Sequence, residues 1–184
     1  MKTSSKLSYS LLFLTAFAAQ AHALELHLPG LKKSEMMPEK YVYDGFGCSG
    51  QNISPEIEWS KAPEGTKEYA LTLYDPDAPT GSGWWHWVVY NIPADVTRLA
   101  AGAGNLSSQA PLPKGAIQAR TDFGQNTYGG PCPPKGNKPH RYIFTLYALK
   151  EKLSVPSDAS PAMIGFNIKQ NELSNAQFQI RYGR

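Results

Sequence analysis

"YDPDAPTGSGWWHW", residues 74–87, is the stretch on which the reading of this chain turns. Two aspartates, Asp75 and Asp77, stand between prolines directly after the apolar run "EYALTL", and His86 follows between tryptophans. Pro and Gly punctuation between two apolar runs marks a turn joining two strands. Carboxylates and an imidazole at such a turn also suit the rim of a binding site. Taken alone, the stretch supports both readings. In the plainer one, Asp75 caps a turn and the histidines satisfy buried backbone groups.

The flanking sequence sets the fold class. "EYALTLYD" alternates Tyr69, Leu71 and Leu73 against Ala70, Thr72 and Tyr74, the period of a strand. "WHWVVYNI", "RYIFTLYAL" and "FQIRYG" share its β-branched and aromatic character. Turn signals separate them: "APEGTK", "NIPAD" and "CPPKGNKP". The best helical signal is residues 160–178, where Pro161 suits a first turn and Met163, Phe166 and Ile168 could face a core. Residues 100–128 show little alternation and read as a long surface excursion, a length uncommon unless functional. The expectation is one mostly-β domain, an antiparallel sandwich with a few short helices, the best of them just before the last strand.

Residues 1–23 read as a secretory leader. Lys2 and Lys6 form a basic start, residues 11–19 an apolar core, and Ala21-His22-Ala23 a small-x-small cleavage signal. The apolar run falls short of the ~20 residues of a membrane span. Cleavage after Ala23 would leave a single domain, residues 24–184, in the periplasm or outside the cell. Losing Lys2 and Lys6 takes the formal charge from +3 to +1, and with no basic stripe nucleic acid is not an expected partner. Cys48 and Cys132 are the two cysteines. In an exported chain an even count favours a disulfide.

Beyond the leader the histidines are His27, His86 and His140. His86 and His140 begin apolar strands, and Asp75 ends a third. If those strand ends meet at one edge of a sandwich, the three side chains share a small polar pocket among aromatics. Two histidines and a carboxylate could hold a metal, though the short ligand spacing usual for metals is absent. No Gly-x-Ser-x-Gly elbow or uncommitted cysteine suggests a hydrolytic nucleophile. An anion could be held by imidazolium groups, a tyrosine hydroxyl and the amides of Gly129-Gly130.

Two longer motifs add a resemblance. The run from Asn52 to Pro93 contains Asp-Pro-Asp-x-Pro at residues 75–79, and "GPCPPKGNKPHRYIFTLYAL" contains Gly-x-x-x-His-Arg at residues 136–141. Together they resemble the phosphatidylethanolamine-binding protein family, also called Raf kinase inhibitor-like proteins. The leader and paired cysteines resemble its exported bacterial YbhB/YbcL-type branch. The resemblance implies a β-sandwich with an anion pocket at one edge. Asp75, His86, His140 and Tyr142 match pocket positions and Pro133 and Pro134 line it, while the Gly130 amide is read from the residues as a further ligand contact. Asp77 and Arg141 match positions that brace the two motifs, and Pro79 one where a cis peptide is plausible. Without a helix packed over it after "FQIRYGR", the pocket would be more open.

The implied function is non-enzymatic binding of a phosphate-like or phospholipid-headgroup-like ligand, with no cofactor or metal. Protonated His86 or His140 would supply the charge. The alternatives are an inhibitor or interaction module that docks a partner protein through a surface loop such as residues 100–128, or a histidine- or metal-assisted hydrolase. A homodimer is left open.

Overall fold

The computed structural model describes residues 23–106 and 108–184. The expected leader lies outside them apart from Ala23. In chain order the strands are β1 (Glu25–His27), β2 (Asp44–Gly45), β3 (Cys48–Ser49), β4 (Ile57–Ser60), β5 (Glu68–Asp75), β6 (Trp84–Pro93), β7 (Arg98–Leu99), β8 (Ile117–Gln118), β9 (His140–Leu149) and β10 (Glu172–Tyr182). A 3₁₀ turn covers Glu39–Tyr41, and α1 (Pro161–Asn171) is the one α-helix among the described residues.

The main sheet is antiparallel, in the order β10-β9-β5-β6-β8, and a second sheet runs β1-β4-β7. Tyr69, Leu71 and Leu73 of β5 join Ile57 and Trp59 of β4 and Phe144 and Leu146 of β9 in one core between the sheets. The other face of the main sheet is covered as well. There Ala70, Val88 and Leu149 meet Ile164 and Ile168 of α1. Burial on both faces explains why β6 is apolar almost without interruption rather than alternating.

The helix begins as expected: Pro161 follows Ser160, whose hydroxyl accepts from the Met163 N–H at 3.2 Å. Of the residues expected to face inward, only Ile168 does. Ile164 and Ile168 are buried, whereas Met163 and Phe166 point to solvent. The helical signal over 160–178 also stops early. From Glu172 the chain pairs with β9, and Phe178, Ile180 and Tyr182 point inward with a period of two.

Residues 100–106 and 108–128 form an excursion with its own anchors. Gly102 N–H donates to Ser54 O at 2.8 Å, the Asn105 amide donates to Asn52 O at 2.6 Å, and Ile117–Gln118 add a strand to β6.

Cys48 and Cys132 are joined in a disulfide across a separation of 84 residues. It ties the β2–β3 hairpin to the segment entering Pro133-Pro134. Phe46 and Gly47, at the hairpin tip, both have positive φ, 53° and 78°, as a two-residue turn between twisted strands requires. Arg184 adds a second tie, donating to Pro133 O and Gly47 O at 2.8 Å each and to Phe46 O at 3.1 Å. Closing so long a loop restricts the unfolded chain by about 4 kcal/mol in the chain-entropy treatment. Replacing both cysteines by serine should therefore lower the urea-unfolding free energy by about that amount. A loss well under 1 kcal/mol would show that the bridge does little to the unfolded ensemble.

Candidate functional site

Antiparallel register brings the predicted residues together. Asp75 ends β5 opposite Trp84 of β6, and Tyr74 of the same strand pairs with Ile143 of β9. Thus the end of β5 and the starts of β6 and β9 share one edge of the main sheet. Asp75, His86, His140 and Tyr142 meet there, each no more than 4% exposed. They line a cavity of about 220 Å³ together with Pro133 and Pro134.

Asp75 serves the turn and the site at once. Its Oδ1 accepts from the Asp77 N–H at 2.8 Å, an Asx-type turn, and its Oδ2 lies 2.8 Å from His140 Nδ1. The turn reading of residues 74–87 is therefore correct, and the same carboxylate also lines the cavity. Asp77 and Arg141 brace the motifs from outside the cavity. Arg141 Nε and Nη2 fork onto the Asp77 carboxylate at 2.9 and 2.6 Å, and its backbone N–H adds a bond at 2.8 Å. These hydrogen bonds hold the Asp77 carboxyl down at about 2.

His86 is held differently. Its Nδ1 lies 2.7 Å from Gly129 O, and Gly129 N–H donates to His86 O at 2.9 Å. A carbonyl only accepts, so Nδ1 carries the proton. Burial pulls the His86 pKa down to about 4, and the Gly129 carbonyl and the Asp75 charge only partly oppose it. His86 is therefore neutral at pH 7 and supplies no charge, contrary to one of the two sequence-based expectations for its role.

The Tyr142 hydroxyl is buried and, among the described residues, makes no well-formed hydrogen bond, although it feels the nearby Asp75 carboxylate. Burial, reinforced by the nearby Asp75 charge, raises its pKa far above the ordinary phenol value, so it remains a proton donor.

Two expectations need correction. The Gly129-Gly130 amides are not free to cradle an anion: Gly129 donates to His86, and Gly130 N–H to Asn52 Oδ1 at 2.7 Å. Gly130 does not line the cavity. Its smallness has another cause, since a Cβ there would lie 2.0 Å from Tyr41 O. The Ala78–Pro79 peptide is trans, as are all the described peptides. Pro79 still lines the cavity, in a turn closed by the Thr80 hydroxyl donating to Gly83 O at 2.5 Å.

The structure adds an aromatic wall of Phe46, Trp84 and Phe123 that sequence reasoning missed. Phe46 and Phe123 stack with centroids 5.9 Å apart, Trp84 meets Phe123 edge-on at 5.5 Å, and His86 meets Tyr142 edge-on at 5.1 Å. Phe123 is delivered by its neighbour: Asp122 Oδ2 accepts from Trp85 N–H at 2.7 Å, and Asp122 N–H donates to Trp85 O at 3.1 Å. No lysine or arginine lines the cavity among the described residues. Nor is any group of three His, Cys, Asp or Glu residues among them placed to hold a metal ion.

The neutral His86 has a measurable consequence. A histidine of ordinary pKa in the unfolded chain and about 4 in the folded one takes up a proton only on unfolding between those values. Stability should thus fall as pH drops from about 6.5 towards 4, by on the order of 3 kcal/mol. Urea unfolding from pH 4.5 to 7.5 measures it. His86→Asn should show a flatter slope than the parent protein, and equal slopes would contradict the assignment.

Comparison with known proteins agrees with this geometry. Residues 31–183 match the family described as phosphatidylethanolamine-binding protein. Escherichia coli YbcL is 50% identical over 173 residues, covering 94% of this chain and 93% of YbcL. YbhB of the same organism is 50% identical over 153 residues, covering 83% of this chain and 95% of YbhB. The crystal structure of E. coli YbcL, described as a new member of the mammalian PEBP family, superposes with a TM-score of 0.84 at 47% identity, covering 89% of this chain and 99% of that one. Family match, relatives and architecture coincide: the chain belongs to the phosphatidylethanolamine-binding protein family.

Proposed function

We propose that this protein is a non-enzymatic binding protein for a small phosphorylated ligand of the phospholipid-headgroup kind. The observation that carries this reading is the Tyr142 hydroxyl, buried in the lining of an aromatic cavity with no well-formed hydrogen bond among the described residues, and on the same strand as His140. A buried polar group left unpaired costs about 1–3 kcal/mol. A ligand oxygen accepting from it removes that cost. His140 is the second anchor: held against Asp75 by Nδ1, it can meet an oxyanion as an imidazolium. The aromatic faces of Phe46, Trp84 and Phe123 suit an ammonium group at the ligand's other end. A volume of about 220 Å³ suits a headgroup and leaves acyl chains outside.

Several observations favour binding over hydrolysis. Both cysteines are in the disulfide, and the Thr80 hydroxyl is committed to Gly83 O. No lining group is an activated nucleophile. The leader-like residues 1–23 and the disulfide support a periplasmic or secreted location.

Calorimetry with phosphoethanolamine tests the proposal. Binding should weaken several-fold in His140→Asn, which removes the ring held against Asp75 in the cavity wall. Tyr142→Phe should weaken it by about fivefold, the equivalent of one hydrogen bond. Unchanged binding in both Tyr142→Phe and His140→Asn would refute the proposed site.

A further inference from the structure

His140 is a wall of two cavities. Besides the aromatic pocket it borders an open polar cleft of about 710 Å³, lined also by Asp77, residues 136–139, Arg141 and Arg181. The cleft's charges are unbalanced: Lys138, Arg141 and Arg181 face a single carboxylate, Asp77. Arg141 and Arg181 are directly opposite each other in the β9–β10 register. Residues so paired share a face with Cβ atoms about 5 Å apart, and like charges there destabilise a sheet.

Arg141 is compensated by its fork onto Asp77. Arg181 is not. Its backbone is engaged, N–H to Glu35 O at 2.9 Å and O from Met37 N–H at 2.7 Å, but its guanidinium makes no hydrogen bond or ion pair with the described residues. Lys138, exposed on the same cleft, is equally free. An exposed strand position opposite an arginine has no structural need of a second one. A neutral residue would pack there without the repulsion.

We propose that this cleft is a second oxyanion site, distinct from the aromatic pocket, that takes a phosphate or sulfate group between Arg181 and Lys138. The guanidinium supplies a planar fork and the ammonium a point charge, the usual pair of phosphate donors. The Asn137 amide lies on the same cleft, with Nδ2 3.4 Å from His140 Nε2, and adds a neutral donor. Because the cationic side chains are exposed, binding is weak and falls with added salt.

Calorimetry with inorganic phosphate and pyrophosphate at low salt tests this on the full chain. The double variant Arg181→Gln/Lys138→Gln should lose roughly tenfold or more in pyrophosphate affinity, about 1.4 kcal/mol, and Arg181→Lys should lose less. Phosphoethanolamine binding in the aromatic pocket should survive the double variant. Tyr142→Phe should leave pyrophosphate binding intact, so failure of the pocket and failure of the cleft are separable. Glycerol phosphate in solution and vesicles containing phosphatidylglycerol separate a free phosphate from a lipid one. Binding to either that depends on Arg181 supports the site. Parental pyrophosphate affinity in the double variant, or loss of pyrophosphate binding in Tyr142→Phe alone, overturns it.

Discussion

The antiparallel pairing of β5 with β9 is the constraint on which the rest depends. It aligns Leu71 with Leu146 and Leu73 with Phe144 in the core, and it carries the ends of both strands to one edge. Asp75 and His140, 65 residues apart in sequence, then stand in hydrogen-bonding contact. A slip of one residue would turn each side chain to the opposite face of the sheet. The fork of Arg141 onto Asp77 opposes such a slip from just outside the site. Core packing and site geometry are thus one register, fixed once.

Electrostatics divide the surroundings of His140 into two environments. Inside, burial outweighs the available charges: His86 stays neutral although Gly129 O and Asp75 favour its proton. With no lysine or arginine in the lining among the described residues, the pocket offers hydrogen-bonding groups and aromatic faces more than net charge. Outside, across the same imidazole, the cleft is rich in cations and open to water. There charge is cheap to expose but screened by salt. The two sides therefore differ in what they can hold and in how salt affects the holding.

Much of the site was legible in the sequence because its residues lie at the ends of strongly patterned strands. Asp75 follows an alternating run, and His86 and His140 begin others, so the strand pattern placed them, whereas Tyr142 entered through the family resemblance. The aromatic wall was not legible. Phe46 sits at the tip of a hairpin set by positive φ values, and Phe123 in a segment anchored through Asp122 to Trp85. Both contacts are long-range and leave no local period. Gly130 misled for a related reason: its amide is taken by Asn52, 78 residues earlier, and its missing side chain admits the Tyr41 carbonyl. On α1, Met163 and Phe166 looked inward because apolar character was taken for burial. Ile164 and Ile168, one turn apart, fix the true inner face.

The central claim is that the pocket presents two unlike histidines: His86 locked and neutral, His140 available to a ligand. Long-range ¹H–¹⁵N correlation spectra of the imidazole rings address this directly. At pH 5.5 the account predicts that His86 shows the neutral Nδ1–H tautomer and keeps it when phosphoethanolamine is added, while the His140 resonances move. A His86 ring that is protonated at that pH, or a His140 ring that ignores the ligand, would contradict it.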